Sequence, residues 1–136
     1  MTKVIAACLL LAAQTYNIPP AVMIGIYTVE GGKIGQAVKN TNGSYDLGPM
    51  QINTLWVPQL AQFWGVSERT ARSWIKNDAC TNFGVSGWIL RQHLNETNSL
   101  SKSISYYHSR TPSLGNKYRK KVYKAMKAKG LINTGR

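Results

Sequence analysis

The chain opens on an apolar run, Val4 to Ala13, behind Lys3. The run predicts a first helix continuing to about Tyr16. At ten residues it is too short to cross a bilayer. It also resembles the core of a short signal peptide, and cleavage after Ala13 would discard Cys8. On the helical reading the chain begins where a leader has been removed, or it is exported by another route. Asn17-Ile18-Pro19-Pro20 starts a second helix, because proline is pre-organised for a first helical turn. That helix runs Ala21 to Glu30 and stops at Gly31-Gly32, residues suited to a left-handed terminator. From Lys39 to Asn53 the periodicity lapses. Asn42-Gly43 is a hairpin signal and Gly48-Pro49 breaks helix, so this stretch reads as a small loop or β-hairpin lobe. Helices return at Leu55 to Trp64 and at Ser67 to Lys76, the latter with Ser67 as N-cap. A longer helix follows, capped by Asp78 or Thr81 and ending near His93 or Asn95. The last two span Leu100 to Ser109 and Leu114 to Lys129, with Gly130 as the stop. In the final helix Tyr118, Val122, Ala125 and Met126 fall on one side at helical spacing. The expectation is a mainly α single domain over residues 1–136, with its core at about 8–129.

The 136 residues suit one domain. A hydrophobic fraction of 43% against 16% charged residues excludes a disordered chain. Seventeen Lys and Arg oppose five Asp and Glu, a net charge of +12. That balance favours an anionic partner: nucleic acid, membrane headgroups or an anionic wall polymer. Arg110 to Arg136 holds nine basic residues and no acid, either as a solvated face or as an electrostatic footprint.

The carboxylates are Glu30, Asp46, Glu68, Asp78 and Glu96, beside two cysteines and two histidines. No CxxC, HExxH, GxxxxGK or GxGxxG is present, so neither a metal nor a nucleotide cofactor is expected. Cys8 and Cys80 can form one disulfide or remain two buried thiols. A bridge would constrain the unfolded chain by ~3–4 kcal/mol and imply an oxidising compartment.

Glu30 is the most informative position. Met23, Ile26, Tyr27 and Glu30 share one helical face, so this carboxyl shares the apolar side. Burial raises its pKa, and the negative end of the helix dipole pushes the same way. No Lys or Arg lies within two residues of it. An acid kept protonated near neutral pH is what a general acid requires; the plainer alternative is a surface Glu on a fraying helix end. Further on, Gln51 and Asn53 are two apart, so in extended chain they point the same way. Paired amides bind sugar hydroxyls and acetamido groups by donating and accepting together, although loop amides commonly serve only the backbone. His93 reads as a partly exposed helix residue and His108 as a cleft-lining one. Trp56, Trp64, Trp74 and Trp88 read as core or cleft walls.

The ordered set Val29-Glu30-Gly31-Gly32, Asp46-Leu47-Gly48-Pro49-Met50-Gln51-Ile52-Asn53 with Trp56, and Tyr106-Tyr107-His108-Ser109 resembles the goose-lysozyme-like lytic transglycosylases. It is closest to their small branch associated with conjugation, secretion and pilus systems. The resemblance implies a lysozyme-like domain with Glu30 as catalytic acid. Met50, Gln51 and Asn53 would wall the cleft and contact the glycan. Tyr107 would contact Glu30 or the sugar, with Tyr106 the alternative one residue away. The departures are Gly31 where the family often has Ser, Pro49 for its usual Leu, and His108 for Asn after the Tyr.

The implied reaction needs one carboxylate. Glycosidases that use two hold them ~5–5.5 Å apart when retaining and ~6.5–9.5 Å apart when inverting; the only nearby second carboxylate is Asp46, in a polar turn. The expected partners are peptidoglycan glycan strands and an envelope machine. No nucleic acid or transmembrane segment is expected, the chain is expected to be a monomer, and its expected location is the periplasm or elsewhere in the cell envelope. Three alternatives stay open: a hydrolytic muramidase using Asp46 as base, a basic module binding nucleic acid or membrane, and a non-catalytic glycan-binding factor.

Overall fold

The computed structural model describes residues 1–132; Arg136, counted above in the basic stretch, lies outside them. The described chain is mainly helical. The helices are α1 (Lys3–Tyr16), α2 (Pro20–Glu30), α3 (Val57–Trp64), α4 (Glu68–Asn77), α5 (Ala79–Thr97), α6 (Leu100–His108) and α7 (Pro112–Ala128). Between α2 and α3 lie β1 (Ala37–Lys39), β2 (Tyr45–Leu47), β3 (Ile52–Asn53) and a 3-10 turn at Thr54–Trp56. No described helix is long and apolar enough to cross a membrane.

Local signals account for most of the boundaries. Thr2 Oγ1 accepts from Ile5 N at 3.2 Å to start α1, and Ser67 Oγ accepts from Thr70 N at 3.1 Å to start α4. Between the two candidate caps of α5 the cap is Asp78, whose Oδ2 accepts from Thr81 N at 2.8 Å. Asn17 and Gly31 end α1 and α2 in the left-handed conformation. Pro112 stands in the first turn of α7, which therefore begins two residues before Leu114.

The lobe is a three-stranded antiparallel sheet in the order β1-β2-β3. Its first connection is a five-residue loop between the paired residues Lys39 and Tyr45, closed by Asn40 N donating to Ser44 O at 2.8 Å. Asn42-Gly43 therefore sits inside a wider turn than the two-residue hairpin its sequence suggests.

The long α5 is the hub, with α1, α4 and α6 against it and α7 laid across α6 and α2. The apolar run of α1 is part of this core. Ile5, Cys8, Leu9, Ala12 and Ala13 are buried, while Val4, Leu10 and Leu11 stay exposed. Cys8 is disulfide-bonded to Cys80 at the start of α5, with Cα atoms 4.6 Å apart. A side chain at Gly25 would lie 2.6 Å from Met126 Cγ and 3.1 Å from Val122 Cγ1, so this glycine lets α2 and α7 approach closely. His93 corrects the sequence reading: it is 5% exposed rather than partly exposed, and it stands edge-on to Trp56 and Tyr106.

Candidate active site

Glu30 closes α2 at the point where that helix leaves the core. Met23 and Ile26 on its face are fully buried, and Tyr27 meets Phe83 edge-to-face at 5.5 Å. The carboxyl is partly buried, and Tyr118 Oη donates to Glu30 Oε2 at 2.7 Å. Burial pushes the Glu30 pKa up from 4.5 to about 7; the Tyr118 bond opposes the rise and the negative charge of Asp46 adds to it.

A cleft of about 220 Å³ runs from Glu30 across the sheet lobe. One wall is polar: Asn40, Asn42, Ser44, Asp46 and Asn53. Its order follows from strand register, since Asp46 and Asn53 are direct partners across β2 and β3. Asn53 Nδ2 donates to Asp46 Oδ1 and to Ser44 Oγ, each at 3.1 Å. Ser44 Oγ in turn donates to Asn42 Oδ1 at 2.7 Å. Ile52, Trp56 and Ile89 add apolar surface, and Tyr107 and His108 close the far side. Trp56 is backed by Trp88, edge-to-face at 5.4 Å.

Gln51 reaches this cleft by a different route from the extended geometry expected. Its φ is +53°, left-handed backbone that costs a non-glycine residue about 1–2 kcal/mol. It is held there by Gln51 N and Gln51 Nε2, which donate to Gly48 O at 3.1 and 2.9 Å. The same turn explains Gly32. A side chain at Gly32 would lie 2.0 Å from Gly48 O and 2.7 Å from Gln51 Nε2, and Gly32 N donates to Pro49 O at 3.2 Å. The second glycine after Glu30 thus lets the Gly48–Gln51 turn close against the acid.

Two expected contacts differ. Met50 is 0% exposed, so its side chain lies in the core below the cleft and offers no surface to a ligand. Tyr107 bonds structure rather than Glu30: its hydroxyl donates to the Met50 carbonyl at 2.8 Å and shares a bond with Ser86 Oγ at 3.1 Å. The tyrosine that reaches Glu30 is Tyr118, which the helical spacing placed only on an apolar face. It also stacks on His108 at 4.8 Å and 10° between ring planes, so His108 reaches the cleft as part of a stack. Tyr106 lies away from this cleft, against His93 and under the Arg110 guanidinium.

Asn82 gave no signal in the sequence beyond being a polar residue in a mostly apolar helix. It is fully buried. It donates to Leu47 O at 2.8 Å and Ile75 O at 2.9 Å, and accepts from Met50 N at 2.8 Å. One side chain thereby ties β2, α4 and the motif turn to α5. No cluster of His, Cys, Asp and Glu suited to a metal occurs among the described residues. What the arrangement offers is a proton held near neutral pH beside a groove rich in amides. No protein-family model matches the sequence, and no curated protein matches it.

Proposed function

We propose that this protein is a lytic transglycosylase of the bacterial cell wall, cleaving the β-1,4 bond between N-acetylmuramic acid and N-acetylglucosamine. The single observation that carries this reading is Glu30: a carboxyl with a pKa of about 7, hydrogen-bonded to Tyr118, at the edge of a cleft walled by amides. The motif resemblance to goose-lysozyme-like enzymes supports it. In the proposed reaction Glu30 gives its proton to the glycosidic oxygen as the bond from muramyl C1 breaks. The neighbouring acetamido group stabilises the positive sugar. The Glu30 carboxylate then takes the proton of the muramyl C6 hydroxyl, whose oxygen closes on C1 to leave a 1,6-anhydro end. Gln51 and Asn53 would hold sugar amides and hydroxyls, and His108 would edge the groove. The Cys8–Cys80 bridge and the net charge of +12 suit work on an acidic polymer in an oxidising envelope compartment. Opening the wall for a secretion, conjugation or pilus apparatus is the biological role this implies.

The test is digestion of purified peptidoglycan by the parent and by Glu30→Gln, with product masses. The parent should release 1,6-anhydro muropeptides, each one water lighter than a hydrolysis product. The variant should lose about 10³-fold or more, since general acid–base groups contribute ~10²–10⁴-fold.

One observation favours a second reading. Asp46 lines the same cleft and its charge is felt at Glu30, so it could serve as base for a water in a hydrolytic muramidase. Asp46 accepts from Asn53 at the polar wall, and the lyase needs no second carboxylate. Products carrying the added water, and loss of their release in Asp46→Asn, would favour the hydrolase.

A further inference from the structure

Glu30 and His108 border a second hollow, of about 350 Å³, on the side away from the sheet. Its other walls include Leu114, Lys117, Tyr118 and Lys121. Lys117 and Lys121 are four residues apart on α7, so they stand one turn above each other on one face. Both are exposed. Like charges at this spacing repel, and no carboxylate relieves them: the one ion pair among the described residues is Arg110–Glu96. The other acids are engaged elsewhere. Asp46 accepts from Asn53 across the cleft, Asp78 caps α5, and Glu68 lies beside Arg69 and Arg72 in a separate hollow. Glu30 itself is held by Tyr118.

We propose that this hollow is a subsite for a carboxylate carried on the substrate, the free acid of a peptide attached to the muramyl sugar whose glycosidic oxygen Glu30 protonates. The inference rests on the glycan-cleaving reading above. The hollow and the cleft meet at Glu30 and His108, so a substituent on the sugar at Glu30 enters the hollow directly. Muramyl sugars carry short peptides amide-linked to their lactyl group, and the free carboxylates of those peptides lie beyond the sugar ring, whereas a sugar without its peptide keeps only the lactyl carboxylate beside the ring. Lys117 and Lys121 would grip the acid, and Val29 and Leu114 would pack against the peptide's apolar groups. Neither lysine touches the reacting bond in this arrangement, so their effect falls on binding.

The test compares the parent with Lys117→Gln/Lys121→Gln on two substrates: peptide-bearing glycan strands, and the same strands with their peptide carboxylates capped as methylamides. The double variant should raise KM at least fivefold on peptide-bearing strands, keep kcat, and match the parent on the capped strands. Lys117→Arg/Lys121→Arg should restore the parent's KM. Equal losses on both substrates, or no change on either, would overturn the subsite. A titration without turnover separates this from failure of the enzymatic reading. Glu30→Gln is titrated, with and without the two Lys→Gln changes, with a muramyl disaccharide whose peptide carboxylates are free and with one whose peptide carboxylates are capped as methylamides. Tighter binding of the ligand with free peptide carboxylates that disappears with the lysines supports the subsite even if the parent cleaves nothing. Equal binding of the two ligands by Glu30→Gln overturns it.

Discussion

Tyr118 Oη lies 2.7 Å from Glu30 Oε2, a hydrogen bond across 88 residues of chain. It joins the C-terminal end of α2 to the first half of α7. The bond decides how the acid works, because a phenol donating to a carboxylate favours the charged form while burial disfavours it. Burial wins, and the acid is left near 7 rather than higher. In the proposed reaction this acid gives a proton and then takes one back, a task best served by a pKa close to the working pH.

Tyr118→Phe keeps the ring on His108 and removes only this bond. The Glu30 pKa should then rise further, moving the basic limb of the kcat/KM profile up by about one unit, the lower end of what a hydrogen bond to a charged group is worth. Activity below pH 6 should fall, since the returning carboxylate has lost its donor. Rate profiles from pH 4 to 9 on glycan strands check this; an unmoved basic limb would sink it.

Glu30 also makes stability depend on pH. Its folded pKa of about 7 stands above the ordinary 4.5, so its contribution is fully present below pH 4.5 and is lost as pH rises through 7. The full shift corresponds to roughly 3 kcal/mol, an upper bound for a group the cleft leaves partly wet. Glu30→Gln should therefore be more stable than the parent at pH 8, by up to ~3 kcal/mol, and equal to it at pH 4. Urea melts at the two pH values measure the difference; a constant gap would refute the linkage.

His93 works in the opposite direction. Burial, then the Arg110 cation, hold its pKa below 6.5, with Glu96 opposing, and its Nδ1 is buried without a hydrogen bond. The neutral form is the one that fits, so its contribution is present above pH 6.5 and is lost as pH falls through the folded pKa. His93→Leu should flatten the parent's loss of Tm between pH 7 and 5. If parent and variant lose Tm in parallel over that range, His93 is not the responsible group.

Asn82 should be among the least replaceable residues of the fold. Asn82→Ala removes three hydrogen bonds and strands the buried Met50 N–H, at a cost of about 3 kcal/mol or more. Asn82→Asp keeps the acceptor for Met50 N but cannot donate to Leu47 O or Ile75 O, so it should be no better at neutral pH. Denaturant midpoints give both values. Because the motif turn hangs on this side chain, glycan binding should weaken along with stability.

Much of the architecture was legible because its signals are local. The cap Ser67, the candidate cap Asp78, the stop at Gly31 and the prolines of α2 act within a few residues of themselves, whereas Asn17, expected in a helix start, ends α1. The same locality made Glu30 legible, since a 3.6-residue repeat alone puts it on the face of Met23 and Ile26. His93 was misread because its burial depends on Trp56 and Tyr106, which come from other elements. Met50 was expected at the cleft only through the motif resemblance, and a motif gives residue types without fixing which side of the Gly48–Gln51 turn a side chain takes; here it lies in the core.

The order of residues by itself determined which faces are apolar, where each helix can begin and end, and that a carboxyl without a local cation stands on an apolar face. Only the tertiary structure decided what that carboxyl meets. Tyr107 belongs to the cleft motif, yet its hydroxyl is turned to Met50 and Ser86, and the close approach at Gly25 brings Tyr118 to the acid instead. The reason is geometric: periodicity specifies the side of a helix a residue occupies, whereas the crossing of two helices specifies which residues on those sides come within bonding distance.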